Sequence, residues 1–123
     1  MLIDSNIIIY SALPENGHLR DLIKQHQPLV SVISYIEVLG YHLITAEDRE
    51  NFEEFFEAAE SLPITQEIIQ QATVLRQSRK MSLADALIAA TCLVHRLTLI
   101  TRNTRDFLNI PNLTVIDPFF AEV

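Results

Sequence analysis

With 123 residues, 49% of them hydrophobic and 20% charged, the chain can bury one core and is too apolar to be disordered. Its one cysteine, Cys92, excludes an internal disulfide and lies in an apolar stretch, where it reads as a packed thiol in a reducing compartment. A net charge of −7 speaks, taken whole, against a polyanionic partner.

The distribution of that charge reverses the argument. Residues 47–60 carry seven acids (Glu47, Asp48, Glu50, Glu53, Glu54, Glu57, Glu60) and one base, Arg49. Without that segment and four acids discussed below, five acids face eight bases, a balance of +3. Arg76, Arg79, Lys80, Arg96, Arg102 and Arg105 all fall in the second half, where a basic rim could meet a polyanion. Asp4 interrupts the only apolar run near the N-terminus, so no signal peptide is expected. No apolar run approaches the roughly 20 residues that span a bilayer. The expectation is a single cytoplasmic domain, residues 1–123, without membrane attachment.

Taken in chain order, the pattern alternates short strands with helices. Met1–Asp4 begins as an apolar strand, and Ile7–Tyr10 is too short for periodicity to decide between strand and helix. Asn16–Gln27 is helical, with Leu19, Leu22 and Ile23 on one face, and Pro28 ends it. Leu29–Val32 reads as a strand and Ile33–Leu43 as a helix. Thr45 and Asp48 have capping-box spacing ahead of the stripe Phe52, Phe55, Phe56 and Ala59, which packs as core more readily than it serves as an interface. The acids on the opposite face repel at i,i+4 and are expected in solvent. Leu62–Ile64 is a short strand and Gln66–Arg79 a helix. Ser82 caps a long helix running to about Arg96. Leu97–Thr101, Thr104–Leu108 and Leu113–Ile116 follow as strand, short helix and strand. Strands returned through helices imply a mainly parallel sheet of four to five strands between two helical layers, an α/β class. Ligands of such sheets gather outside the strands' carboxyl ends.

Four acids fall near that edge: Asp4 after the first strand, Glu37 in the turns after the second, Asp85 at the start of the apolar helix, and Asp106 beyond Leu97–Thr101. Taken singly, each has a bland explanation. Ser34-x-x-Glu37, Ser82-x-x-Asp85 and Asn103-x-x-Asp106 have N-cap-to-N3 spacing, and Asp4 could cap the helix that follows it. Taken together, they would repel and raise one another's pKa values unless a positive charge sat among them. Asp85 is the sharpest case. Its helix is apolar almost all round, so either Arg79 or Lys80 pairs with it or a cation does.

An all-oxygen set selects Mg²⁺ or Mn²⁺, whereas zinc would want His and Cys at short spacing. His18, His26, His42 and His95 are scattered and read as surface or boundary residues. Clustered carboxylates holding such an ion suit phosphodiester hydrolysis. Only two glycines are present, so there is no G-x-G-x-x-G and no P-loop. No G-x-S-x-G elbow exists either. An aspartyl-phosphate receiver would carry paired acids near the first strand and a lysine after a late one, where this chain has Arg102-Asn103.

The chain resembles the PIN-domain family, and in particular its VapC-type toxins. The resemblance rests on the opening Leu-Ile-Asp-Ser-Asn, Ser31 and Ser34 ahead of Glu37, the run from Asp85 to Thr91, and Leu99 to Phe107. It implies a three-layer α/β/α nuclease in which Asp4, Glu37, Asp85 and Asp106 are catalytic and ligate Mg²⁺ or Mn²⁺. Asn6, Thr101 and Asn103 match the family's supporting polar positions and read equally well as turn and cap chemistry. The implied activity is endonucleolytic hydrolysis of RNA by a metal-activated water. The ion would be held mainly by Asp4, Asp85 and Asp106, with Glu37 orienting water or sharing a second ion. Arg102 and Arg105 would touch the RNA backbone. A homodimer and a small antitoxin, with an arginine-bearing tail among the acids, are the implied partners. The alternative is a non-catalytic binding module on the same fold. Ser5 stands where threonine is common, and Arg79-Lys80-Met81-Ser82-Leu83 departs from the usual approach to the third acid. Neither departure touches a proposed ligand.

Overall fold

The structure, a computed structural model, describes residues 1–123. Five short parallel strands form the middle of the molecule: β1 (Leu2–Ile3), β2 (Val30–Ser31), β3 (Ser61–Leu62), β4 (Leu99–Ile100) and β5 (Val115–Ile116). They run as two ladders, β1–β4–β5 and β2–β3, both parallel. A bridge between Leu2 and Leu29 joins the ladders, through Ile3 N–H to Leu29 O at 3.1 Å and Leu29 N–H to Met1 O at 3.0 Å. The order is therefore β3–β2–β1–β4–β5.

Side chains alternate across a strand, and the alternation here divides the core in two. Leu2 and Leu99 face α5 (Gln66–Ser78) and α6 (Leu83–His95), together with Phe107 and Ile110. Their chain neighbours Ile3 and Ile100 face the other way. They meet α1 (Ser5–Ser11), α2 (Gly17–His26), α3 (Val32–Leu39) and α4 (Ala46–Ala58) through Ile7, Leu19, Val38, Phe52 and Phe56. The result is the three-layer α/β/α arrangement expected from the sequence. No helix is long and apolar enough to cross a membrane.

The caps decide several boundaries. Thr45 accepts from Asp48 N–H at 3.1 Å, and Ser82 from Asp85 N–H at 3.1 Å, as their spacing predicts. Ile7–Tyr10 resolves as helix within α1. The strands are shorter than expected, because Val32 already belongs to α3 and Leu97 to the turn after α6. The expected helix 33–43 ends at Leu39. Gly40 closes it, at a position where a Cβ would run into the Ile36 carbonyl oxygen. The last turn, Thr104–Phe107, is 3₁₀. Phe52 and Phe56 are buried while the acids of 47–60 all lie exposed, so the stripe is core and the opposite face is solvated.

Candidate active site

Because every strand is parallel, their carboxyl ends share one edge of the sheet. Asp4 stands directly beyond β1 and is 5% exposed. It is the N-cap of α1, its Oδ1 accepting from Ser5 N–H at 2.8 Å. Its Oδ2 accepts from Thr101 Oγ1 at 2.9 Å and Asn6 Nδ2 at 3.3 Å. The capping reading is thus correct for Asp4, but it is incomplete. A carboxylate offers about four lone-pair sites, so three donors leave room for a further partner.

Thr101, fully buried beyond β4, ties the two central strands together. Its hydroxyl reaches Asp4, and its oxygen accepts from Asn6 Nδ2 and Asn103 N–H, both at 3.1 Å. Asn6 Oδ1 in turn accepts from Arg102 N–H at 3.2 Å. Asn6 and Thr101 therefore do sit against Asp4. Asn103 contributes its backbone N–H, and its side chain makes no cap bond.

Glu37 is not a cap. Ser31 caps α3, accepting from Ile33 N–H at 3.0 Å, which frees Ser34 and Glu37 from the role their spacing suggested. Ser5 Oγ lies 2.7 Å from Glu37 Oε1 and 2.9 Å from Ser34 Oγ. A hydroxyl has one proton, so Ser5 donates to the carboxylate and Ser34 donates to Ser5. This relay fixes the exposed Glu37 side chain against α1. Sequence reasoning missed Ser5 and Ser34 here, since the supporting contact joins residues 32 apart.

Asp85 is half-buried in the first turn of α6, and Asp106 is exposed on the 3₁₀ turn. All four acids are electrically linked. Burial raises Asp4 to a pKa of about 6, and the charges of Asp85 and Glu37 add to the rise. Asp85 is raised by burial and by the charges of Asp106 and Glu37, with a contact from the Ser82 hydroxyl opposing. No basic side chain figures among the influences on either group. Arg79 does not pair with Asp85. Its Nη1 and Nη2 bond the carbonyls of Leu108 and Asn109 at 2.6 and 2.9 Å, strapping the 3₁₀ segment to the end of α5. Of the partners weighed for Asp85, Arg79 is thereby removed, and Lys80 does not act on its charge either.

The set is open. No three His, Cys, Asp or Glu side chains are arranged so that they could hold a metal ion as they stand. The donor chemistry still fits a hard divalent cation, because the linked groups are all carboxylates. Cys92 is no soft ligand: burial, and then the charge of Asp4, push its thiol to about 12. All four histidines are exposed, as expected.

Two grooves flank the acids and share Arg105 and Asp106. One, of about 740 Å³, runs past Asp85 between Arg76, Arg79 and Lys80. The other, of about 590 Å³, includes Arg102 and Phe120. Five of the six bases suggested as a rim line these grooves, Arg96 lines neither, and Arg76, Arg79 and Lys80 were not among the backbone contacts expected. Arg102 is partly engaged, its guanidinium 3.9 Å from the Phe119 ring centre and 5.1 Å from that of Tyr10.

The family model described as the PIN domain matches residues 1–113. The chain belongs to the PIN-domain family. Among solved structures, a toxin–antitoxin complex from Klebsiella pneumoniae contains a chain 34% identical to this PIN domain. The match covers 95% of this chain and 96% of that one, with a TM-score of 0.74. A DNA-bound VapBC from Salmonella typhimurium aligns at 20% identity and TM-score 0.81, over 94% and 96% of the two chains. FitAcB from Neisseria gonorrhoeae aligns at 22% and 0.78, over 98% and 99%, and these two likenesses speak for the fold alone. No match is found among curated proteins.

Proposed function

We propose that this PIN domain is a Mg²⁺- or Mn²⁺-dependent endoribonuclease, the toxin of a toxin–antitoxin pair. One observation carries the reading: at the carboxyl end of the sheet the buried Asp4 and half-buried Asp85 are both raised by burial and by neighbouring carboxylates, and no basic side chain acts on either. Family membership and the likeness to toxin–antitoxin complexes support it.

Asp4, Asp85 and Asp106 would hold the ion, with Glu37, kept in place by Ser5, orienting water or sharing a second ion. A bound divalent cation lowers the pKa of water and neutralises the charge developing on phosphate. Asp4, with a pKa of about 6, is ionised at neutral pH and free to serve as a ligand. Water attacks phosphorus and the P–O bond to the leaving nucleotide breaks, with no covalent enzyme intermediate. Arg105, between both grooves, and Arg102 contact the RNA backbone. A homodimer and a small antitoxin suit the exposed apolar side chains of α3 and the loop after it, Tyr35, Ile36, Tyr41 and Leu43. Cytoplasmic residence follows from a substrate and partner of that kind.

The test is incubation with total RNA in Mn²⁺, Mg²⁺ or chelator, followed by sequencing of the cut ends. Cleavage that needs the ion supports the nuclease. RNA left intact in every ion supports the rival, a non-catalytic binding module, which the open spacing of the acids favours. A double change, Arg102→Ala with Arg105→Ala, should make the salt dependence of RNA binding shallower by about 0.7 per lost phosphate contact. An unchanged slope removes both residues from the backbone path.

A further inference from the structure

We propose that Phe120 is a stacking platform for an unpaired nucleobase next to the cleaved phosphate, an inference that rests on the nuclease reading. A single exposed apolar side chain needs no function of its own. Phe120 differs in where it stands and in how firmly its backbone is held. It is 84% exposed, the most exposed of the large hydrophobic residues. Its groove is lined also by Asp106, a proposed site carboxylate, by Asp117, and by Arg102 and Arg105.

The chain turns sharply after β5, and Asp117 fixes the turn. Its Oδ1 accepts from Phe119 N–H at 2.9 Å, and its carbonyl accepts from Phe120 N–H at 3.2 Å and Ala121 N–H at 3.1 Å. Phe119 is directed inward. It lies beneath Arg102 and meets the rings of Tyr10 and His18 edge to face, with centroids 5.9 and 4.8 Å away. The neighbouring ring is thereby left in water on an anchored backbone. An aromatic face, two cations and an acidic hydrolytic edge in one groove match the parts of a nucleotide: a flat apolar base, an anionic phosphate and the bond to be cut. Base–aromatic stacking tolerates any base but requires that base to be unpaired. The platform therefore selects single-stranded or looped RNA over a duplex.

The experiment measures binding of a fluorescein-labelled random-sequence RNA 12-mer, single-stranded or annealed as a duplex, by anisotropy in Mg²⁺. An Asp85→Asn background prevents cleavage. Phe120→Ala should raise Kd for the single strand by at least about fivefold, the lower end of the range for one lost base stack. Phe120→Tyr, which keeps the ring, should stay within about twofold of the parent, and duplex binding should change little. No loss with Ala, the result expected if the ring instead docks a protein, overturns the platform. So does an equal loss on strand and duplex, or a Tyr variant no better than Ala. The two readings separate cleanly. If the native protein cuts RNA in Mn²⁺ while Phe120→Ala binds normally, only the platform falls. If the native protein cuts no RNA, the nuclease reading falls and takes the platform with it.

Discussion

Asp4→Asn or Asp85→Asn should each lower metal-dependent RNA cleavage by at least about 10²-fold while leaving the protein folded. Loss of an outer-shell partner of a metal ligand typically costs roughly 10–100-fold, and removal of a ligand oxygen's charge should exceed that. Asparagine retains the shape at both positions and can still cap α1 at position 4. The Asp4 change should also alter pH dependence in the ion-free protein. Asp4 keeps its proton to about pH 6 when folded, against 3.8 for the free group. Between those values the folded state binds more protons than the unfolded one, so stability falls as pH rises through the window. Above about pH 6 the contribution levels off. Denaturant unfolding of both proteins in chelator, from pH 4 to 7, should show wild type losing stability relative to Asp4→Asn across that window. A pH-independent difference, or full cleavage by either variant, contradicts the assignment.

Phe107→Ala should destabilise the fold by about 3–5 kcal/mol, the usual range for truncating a buried phenylalanine. Phe107 is 2% exposed and ends the 3₁₀ turn, packing beneath it with Leu2, Leu99 and Ile110. The turn also carries Asp106 and Arg105, so the same ring holds part of the site against the sheet. Loss of it should lower the melting temperature by roughly 10–20 °C for a chain of this size. Its neighbour Leu108, exposed on the same segment, should cost under about 0.5 kcal/mol when cut to alanine. Urea unfolding of the two variants decides the matter. Similar midpoints would mean that the 3₁₀ turn is not anchored through Phe107.

The fold was largely written in local patterns. Ser82 and Thr45 announce their helices by cap spacing, and strands separated by helices compel parallel pairing. Boundaries were less legible where three-dimensional contacts set them. The helix after β2 closes at Gly40, whose N–H bonds the Ile36 carbonyl at a spot too tight for a Cβ, a close approach that composition does not reveal. The four acids were visible as residues, and their convergence could be argued only from sheet topology and family resemblance. Their supports were harder to read. Ser34 looked like a cap for Glu37 and is instead part of a relay through Ser5, a contact across two separate helices. Arg79 was one of the counter-ions open to Asp85 and is a strap on two backbone carbonyls. In both cases spacing along the chain suggested a local partner and the fold supplied a distant one.

Titration of Mn²⁺ into the ion-free protein by calorimetry, with parallel melting curves, tests the carboxylate site most directly. The account predicts saturable binding at neutral pH and stabilisation of about 2.7 kcal/mol when Mn²⁺ reaches a hundred times its Kd. Binding should weaken as pH falls through about 6, where Asp4 regains its proton, and should disappear in an Asp4→Asn, Asp85→Asn double variant. Wild type and double variant responding to Mn²⁺ alike, or wild type not responding at all, would contradict it.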